Sequence, residues 1–262
     1  MRDVDFSIVI PTYNNLPLFQ NALKSVRNQE GVDIEIIVVD DSNSNEIEVY
    51  VQSLNDQRII YRHNNPSLGA VPNWNFGLSL VHGKHVILLH HDEAFIDKCH
   101  LKKILIRFAE GYKIVISNIE IIKGNDYVEH GNYNSILKRI FILFPTLLFI
   151  ANLIGPCACV AFKKDEMLPF DERLHWLVDV EWYYRILSHN KRIYLPKLFI
   201  RSQHGHADQI SQSINIRKFD LEDYSILKTK YKSRYALIIC LLLEKMLGSS
   251  SCIKRSLKKI FK

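Results

Sequence analysis

What most constrains this chain is a change of period that recurs through its first hundred or so residues. "FSIVI" (6–10) is a continuous apolar run rich in β-branched residues and closed by Pro11. A strand with one face in water alternates polar and apolar positions, so an unbroken run predicts a strand covered on both faces. Leu16, Phe19, Leu23 and Val26 then recur at helical spacing, and the segment ends near Gly31. "IEIIVVDD" (34–41) returns to the buried-strand pattern, and "NEIEVYVQSL" (45–54) reads as a helix. "RIIYR" (58–62) is a shorter strand, Val71, Trp74, Leu78 and Val81 predict a helix ending at Gly83, and "HVILLH" (85–90) is another buried strand. Strands alternating with helices in this way predict an α/β fold with a Rossmann-like, mostly parallel, doubly wound sheet.

In such sheets ligands gather beyond the carboxyl ends of the strands. Here those ends carry "PTYNN", "DDSNSN", "HNNPSLG" and "HDE", so polar and acidic side chains converge on one edge. No Gly-rich GxGxxG or GxxxxGK[ST] loop follows the first strand, which argues against a dinucleotide or P-loop site. Taken alone, the octet "LLHHDEAF" (88–95) does not decide between a metal site, a proton-transfer site and a polar strand end.

Beyond residue 112 the pattern changes. "KIVISNIEII" (113–122) predicts a strand, followed by a polar stretch, an apolar segment over 136–154, a strand at "PCACVAFK" (156–163) and a helix at "LHWLVDVEWYYRIL" (174–187). With no repeat and no low-complexity linker, 262 residues read as one domain over 1–219 with an extension over 220–262. The change of pattern divides that domain into two halves, about 1–110 and about 111–219. The formal net charge of +6 attracts anions: nucleic acid, an anionic membrane surface or a phosphorylated ligand. Cys99, Cys157, Cys159, Cys240 and Cys252 show no CxxC or CxxH spacing and read as reduced thiols. The N-terminus is acidic where a secretory signal is basic, and Pro145 interrupts the longest apolar stretch.

Read in order over residues 5–213, "SIVIPTYNN", "IEIIVVDDSNSN", "NPSLGAVPNWNFGLSLVHGKHVILLHHDE", "NLIGPCACVAFKK" and "LVDVEWYYR" resemble an inverting family 2 glycosyltransferase of the GT-A fold, of the type acting in O-antigen and capsule polysaccharide synthesis. The resemblance implies transfer of a sugar from a nucleotide donor, UDP-linked, to a saccharide or lipid-diphosphate-linked saccharide. Nucleic acid is then not a partner. It implies Mn²⁺ or Mg²⁺ at the diphosphate, with Asp92 as first ligand and Glu93 as second, although His90 stands where the family often has its first acid. Pro11, Thr12, Tyr13 and Asn14 would frame the base, Asp41 and more weakly Asp40 would contact base and ribose, and Asn75 would lie in the helix behind the donor. His206, ahead of His204, would complete the metal shell, and Arg201 would meet phosphate. Asp179, six residues before Arg185, would be the catalytic base. Gly155, Trp176 and Glu181 would lie on the acceptor side, Glu181 pointing about 200° from Asp179 around the helix.

The extension joins "YALIICLLLEKML" (235–247) to Lys254, Arg255, Lys258, Lys259 and Lys262. That pattern predicts an interfacial anchor on the inner face of the cell membrane, the alternatives being a helix packed on the domain or a homo-oligomer contact. Two rival functions remain open on sequence: a nucleotidyltransferase, disfavoured by the missing Gly-rich loop, and a degenerate transferase acting as a sugar-binding or scaffold subunit.

Overall fold

The computed structural model describes residues 4–123, 126–128, 135–205, 216–234 and 237–239. Strands β1 (Phe6–Thr12), β2 (Ile34–Asp40), β3 (Ile59–His63) and β4 (His85–Leu88) lie side by side in the order β3-β2-β1-β4, all parallel. The order reverses on either side of β1, which opens the crevice where an α/β sheet binds its ligand. Every residue of β1, β2 and β4 is buried, as their unbroken apolar runs predict.

Helices α1 (Leu16–Arg27), α2 (Glu46–Ser53), α3 (Ala70–Ser79) and α4 (His100–Ala109) cover the faces of the sheet. Asn15 caps α1 by accepting from Leu18 N at 3.2 Å, and Pro17 sits where a helix has no use for an N–H. Leu18, Phe19, Leu23 and Val26 are its buried stripe, each such burial stabilising the fold by roughly 1.5–3 kcal/mol. Helix α3 lies so close to the sheet that a Cβ on Gly77 would stand 2.5 Å from Val9 Cγ1. Only glycine permits that approach.

The second half adds antiparallel pairs to this parallel core, so the whole sheet is mixed. Strand β8 (Val160–Lys163) runs antiparallel between β4 and β6 (Ile114–Lys123). Strand β9 (Arg192–His204) runs parallel to β6, with a register shift at Ser117/Asn118, and its far edge pairs antiparallel with β5 (Glu93–Phe95). A short β7 (Asp126–Val128) forms a hairpin with β6. Helices α5 (Ser135–Leu143), α6 (Val178–Ser188) and α7 (Ile216–Lys230) complete the described elements.

Three segments differ from the sequence expectation. "PCACVAFK" begins as a 3-10 turn over Cys157–Cys159, and only Val160–Lys163 is strand. The helix expected from Leu174 begins at Val178, because the N–H groups of His175, Trp176 and Leu177 all turn onto the buried carboxylate of Asp223. The strand expected through His90 ends at Leu88, and the separate strand β5 was not foreseen. Helix α7 runs across residue 220 and is tied to α6 through Asp223, Lys230 and Tyr231. The apolar and basic segment over 240–262 lies outside the described residues. No helix among the described residues is long and apolar enough to cross a membrane.

Candidate active site

The turns after β1 and β2 are laced together. Asn14, in the left-handed region at φ 51°, donates its N–H to Ser42 Oγ at 2.7 Å and accepts from Asn43 N through Oδ1 at 3.0 Å. Asp41 N donates to Thr12 O at 3.0 Å. Pro11 and Thr12 are buried at the strand end, and Tyr13 is 42% exposed above them, the one aromatic face the turn leaves open.

The two acids expected at the base and ribose are engaged by the protein itself. Asp40, fully buried, accepts from Ser42 N at 2.9 Å and from Tyr61 OH at 2.7 Å. Asp41 accepts from Asn64 Nδ2 (3.0 Å), Ser67 Oγ (2.6 Å), Leu68 N (2.8 Å) and Gly69 N (2.8 Å). Four donors fill the sites a carboxylate offers. Burial pushes the Asp41 carboxyl up, and these four bonds outweigh it, holding the group below the usual carboxylate range. Asp41 is thus an organiser of the 64–69 loop, a role that Asn64, Ser67 and Asn73 share and that residue type alone did not reveal. Asn75 is committed similarly: its Nδ2 donates to Phe170 O and Glu172 Oε1, and its Oδ1 accepts from Phe170 N, joining α3 to the acceptor half.

Beyond β4 the chain makes a tight turn. His90 N donates to Glu93 Oε2 at 2.8 Å, Glu93 N donates to His90 O at 3.0 Å, and the His90 ring meets Glu93 Oε1 through Nδ1 at 3.4 Å. His90 also lies edge-on to Trp74, with ring centroids 4.8 Å apart, which makes Trp74 a wall of this turn. Burial works against a charged imidazole, but Glu93 outweighs it, with Asp92 and Asp179 adding in the same sense, and His90 titrates above its ordinary value. The Glu93 carboxyl is pushed up by burial, with the charge of Asp92 adding to the effect. Glu93 therefore points inward onto His90 and is not placed as a second metal ligand.

Asp92 is half-buried, and its carbonyl accepts from Gln203 N at 2.9 Å, so the end of β9 lies alongside it. Since Glu93 pairs with Ser202, His204 comes to the same edge of the sheet as Asp92. His206 lies outside the described residues. Among the described residues no three His, Cys, Asp or Glu side chains cluster as a metal cage. Arg201 turns to Glu120, 3.3 Å away, in a cavity of about 280 Å³ lined also by Ile96, Asp97, Leu198 and Phe199, and that ion pair occupies the guanidinium expected at phosphate.

Asp179 stands in the first turn of α6. Its Oδ1 accepts from Val180 N at 2.8 Å and its Oδ2 from Asn152 Nδ2 at 2.7 Å. Burial raises its pKa to about 6 against these bonds and the nearby His90, so the carboxylate is ionised at neutral pH and still basic enough to take a proton. Because His90 feels both Asp92 and Asp179, the strand-end turn and the start of α6 face one another. Asn152 is a residue the sequence reading missed. Its Oδ1 accepts from Ile154 N and Gly155 N, and its Nδ2 reaches Gly155 O as well as Asp179. Tyr183 OH donates to Gly155 O at 2.8 Å. Gly155 holds φ 106°, where a Cβ would also press on Ile119, so this loop needs glycine.

Glu181, expected near the acceptor, is fully buried and accepts from Arg185 Nε, Lys230 Nζ and Tyr231 OH. Its carboxylate belongs to that network, and Arg185 pairs with it rather than with Asp179. Trp176 is half-buried, and its N–H is one of those bound by Asp223.

A parallel first half that ends in an acidic turn, set against a mixed second half, is the architecture of the GT-A fold. Within that class the chain belongs to glycosyl transferase family 2, whose family model matches residues 7–168. It is 37% identical over 123 residues to a GalNAc(5)-diNAcBac-PP-undecaprenol beta-1,3-glucosyltransferase of Campylobacter jejuni, a match covering 45% of this chain and 40% of that one. The chain thus spans less than half of that relative. It is 26% identical over 172 residues to the Escherichia coli UDP-Glc:alpha-D-GlcNAc-diphosphoundecaprenol beta-1,3-glucosyltransferase WfgD, covering 63% and 68% of the two chains. In fold it is similar to S. aureus TarS 1-349 in complex with UDP-GlcNAc, at TM-score 0.69 and 16% identity over 91% of this chain and 71% of that one.

Proposed function

We propose that the chain is an inverting hexosyltransferase that moves a sugar from a UDP-linked donor to a lipid-diphosphate-linked saccharide in cell-surface polysaccharide synthesis. The observation that carries this reading is Asp179: a half-buried carboxylate whose partial desolvation raises its pKa to about 6, facing the strand-end turn and hydrogen-bonded to the acceptor-side loop. A base of that strength, set against the site of a phosphorylated leaving group, suits a single displacement. The acceptor oxygen bonds to the anomeric carbon as the bond to the diphosphate breaks, the hydroxyl proton passes to Asp179, and the nucleoside diphosphate leaves. Support for the donor and acceptor classes comes from the two glucosyltransferase relatives, whose names specify undecaprenyl-diphosphate-linked saccharides and, for WfgD, UDP-Glc.

In the donor site Tyr13 would stack on the base, and Pro11, Thr12 and Asn14 would frame it. Mn²⁺ or Mg²⁺, when bound, stabilises the charge growing on the diphosphate. Such a cation is commonly held by one or two carboxylates with phosphate oxygens and water filling the remaining positions. Asp92, with His204 on the same edge, fits that pattern, and Glu93 does not. The apolar and basic C-terminal segment would hold the enzyme at the inner membrane surface beside its lipid-linked acceptor.

A binding subunit without turnover is the second reading, favoured by the inward turn of Glu93 onto His90. Incubation with a panel of nucleotide sugars, Mn²⁺ and a synthetic GlcNAc-diphospho-lipid separates the two. Metal-dependent UDP release from one UDP-hexose, accelerated by the lipid, is expected. Silence across the panel from folded protein would favour the binding subunit.

A further inference from the structure

Lys138 on α5 is only 3% exposed, although the mechanism above gives it nothing to do. Burying an ammonium is expensive unless each of its hydrogens finds a partner. Here the partners are specific. Nζ donates to Ile154 O at 3.0 Å and to Asn118 Oδ1 at 3.2 Å, and it stands 5.0 Å from the centroid of the Tyr194 ring. Burial lowers its pKa to about 8.

Each partner belongs to the frame of the site. Ile154 is in the 152–155 loop, where the N–H groups of Ile154 and Gly155 go to Asn152 and the Gly155 carbonyl accepts from Tyr183. Asn118 sits at the register shift of β6, donates to Pro196 O at 3.1 Å, and so ties β6 to the kink in β9. The loop is thus gripped from two sides: Tyr183 and Asp179 of α6 on one, Lys138 of α5 on the other. A methionine of similar length would fill the same space without the cost of burying a charge, so packing alone does not account for a lysine here.

We infer that Lys138 is a positioning residue for sugar transfer: its ammonium fixes the Ile154 carbonyl, and through the Asn152–Gly155 loop it sets where the Asp179 carboxylate and the acceptor meet. The inference rests on the base assignment of Asp179 for its effect on rate, but its effect on the loop stands independently of any substrate.

The test compares wild type, Lys138→Met and Lys138→Arg as full-length chains. Hydrogen exchange is followed over residues 150–160, and UDP affinity is measured with Mn²⁺ present. Where wild type turns over, kcat and KM are measured with UDP-glucose and the GlcNAc-diphospho-lipid. Lys138→Met is expected to speed exchange at Ile154 and Gly155 at least tenfold, to leave UDP affinity within twofold, and to lower kcat/KM for the acceptor at least tenfold. Lys138→Arg, which keeps donors at the site, is expected to recover part of both. Unchanged exchange over 150–160, or loosened exchange with unaltered acceptor kinetics, would overturn the inference. If wild type transfers nothing, the functional reading fails on its own, and the exchange data still decide whether Lys138 holds the loop. If Lys138→Met does not fold, Asn152→Ala in the wild-type background provides the loosened-loop reference, and Lys138→Arg matching wild type in exchange and kinetics while Lys138→Gln matches Asn152→Ala supports it; Lys138→Gln matching wild type overturns it.

Discussion

Asn152 Nδ2 lies 2.7 Å from Asp179 Oδ2, joining the acceptor-side loop to the first turn of α6 across 27 positions of sequence. The same amide also reaches Gly155 O, so one side chain sets both the loop and the carboxylate. A hydrogen bond to the charged form of a carboxylate lowers its pKa, and Asn152 is one of the groups that keeps Asp179 from rising further under burial. Asn152→Ala removes that donor. The acid limb of the pH–kcat/KM profile should move to higher pH, and kcat at pH 7 should fall by about tenfold or more. A profile unchanged in position would show that the amide does not act on the base.

Asp179 also has a stability signature. Its folded pKa of about 6 exceeds the ordinary 3.8, so the folded state binds the proton more tightly than the unfolded chain. Linkage then makes the native state lose stability as pH rises from about 4 to 6, by roughly 1–3 kcal/mol at most, and the loss persists above 6. Asp179→Asn does not titrate, so it should be more stable than wild type at pH 7.5 and show little advantage at pH 4. Paired thermal melts at the two pH values check the sign. Such a gain is the usual counterpart of a group kept for chemistry.

Asp223 supplies the opposite case. Its carboxylate, fully buried, takes the N–H groups of His175, Trp176 and Leu177 just before α6 begins. Asp223→Ala leaves those donors buried and unpaired, at a cost of about 2–4 kcal/mol. Urea unfolding should show that loss, and sugar transfer should weaken with it because Asp179 lies two residues past the capped segment. Asp223→Asn, which keeps one acceptor oxygen, should lose less.

The parallel half of the fold was legible because its signals are local. "FSIVI" and "IEIIVV" carry their burial in their own composition, and Pro11, Gly31 and Gly83 punctuate them. The roles of Asp40 and Asp41 were not legible, because their partners Tyr61, Asn64 and Ser67 lie more than 20 positions away. The resemblance marked both acids as donor contacts, and in the fold their carboxylates accept hydrogen bonds from its own loops. The start of α6 was misplaced for the same reason, since its cap comes from Asp223, 46 residues beyond Leu177. His90 and Glu93 sit three apart, yet the turn that joins them depends on β5 finding an edge of β9, which no local period announces. Asp179 was singled out only through resemblance, and the desolvation that raises its pKa comes from the fold.

The most direct measurement is made on Asp179→Asn with the donor that wild type consumes, measuring UDP affinity and the rate of transfer on the same preparation. UDP affinity within about twofold of wild type, with transfer reduced by about 10²–10⁴-fold, is the expected result. Transfer at an undiminished rate would remove Asp179 as the base and with it the mechanism proposed for this site.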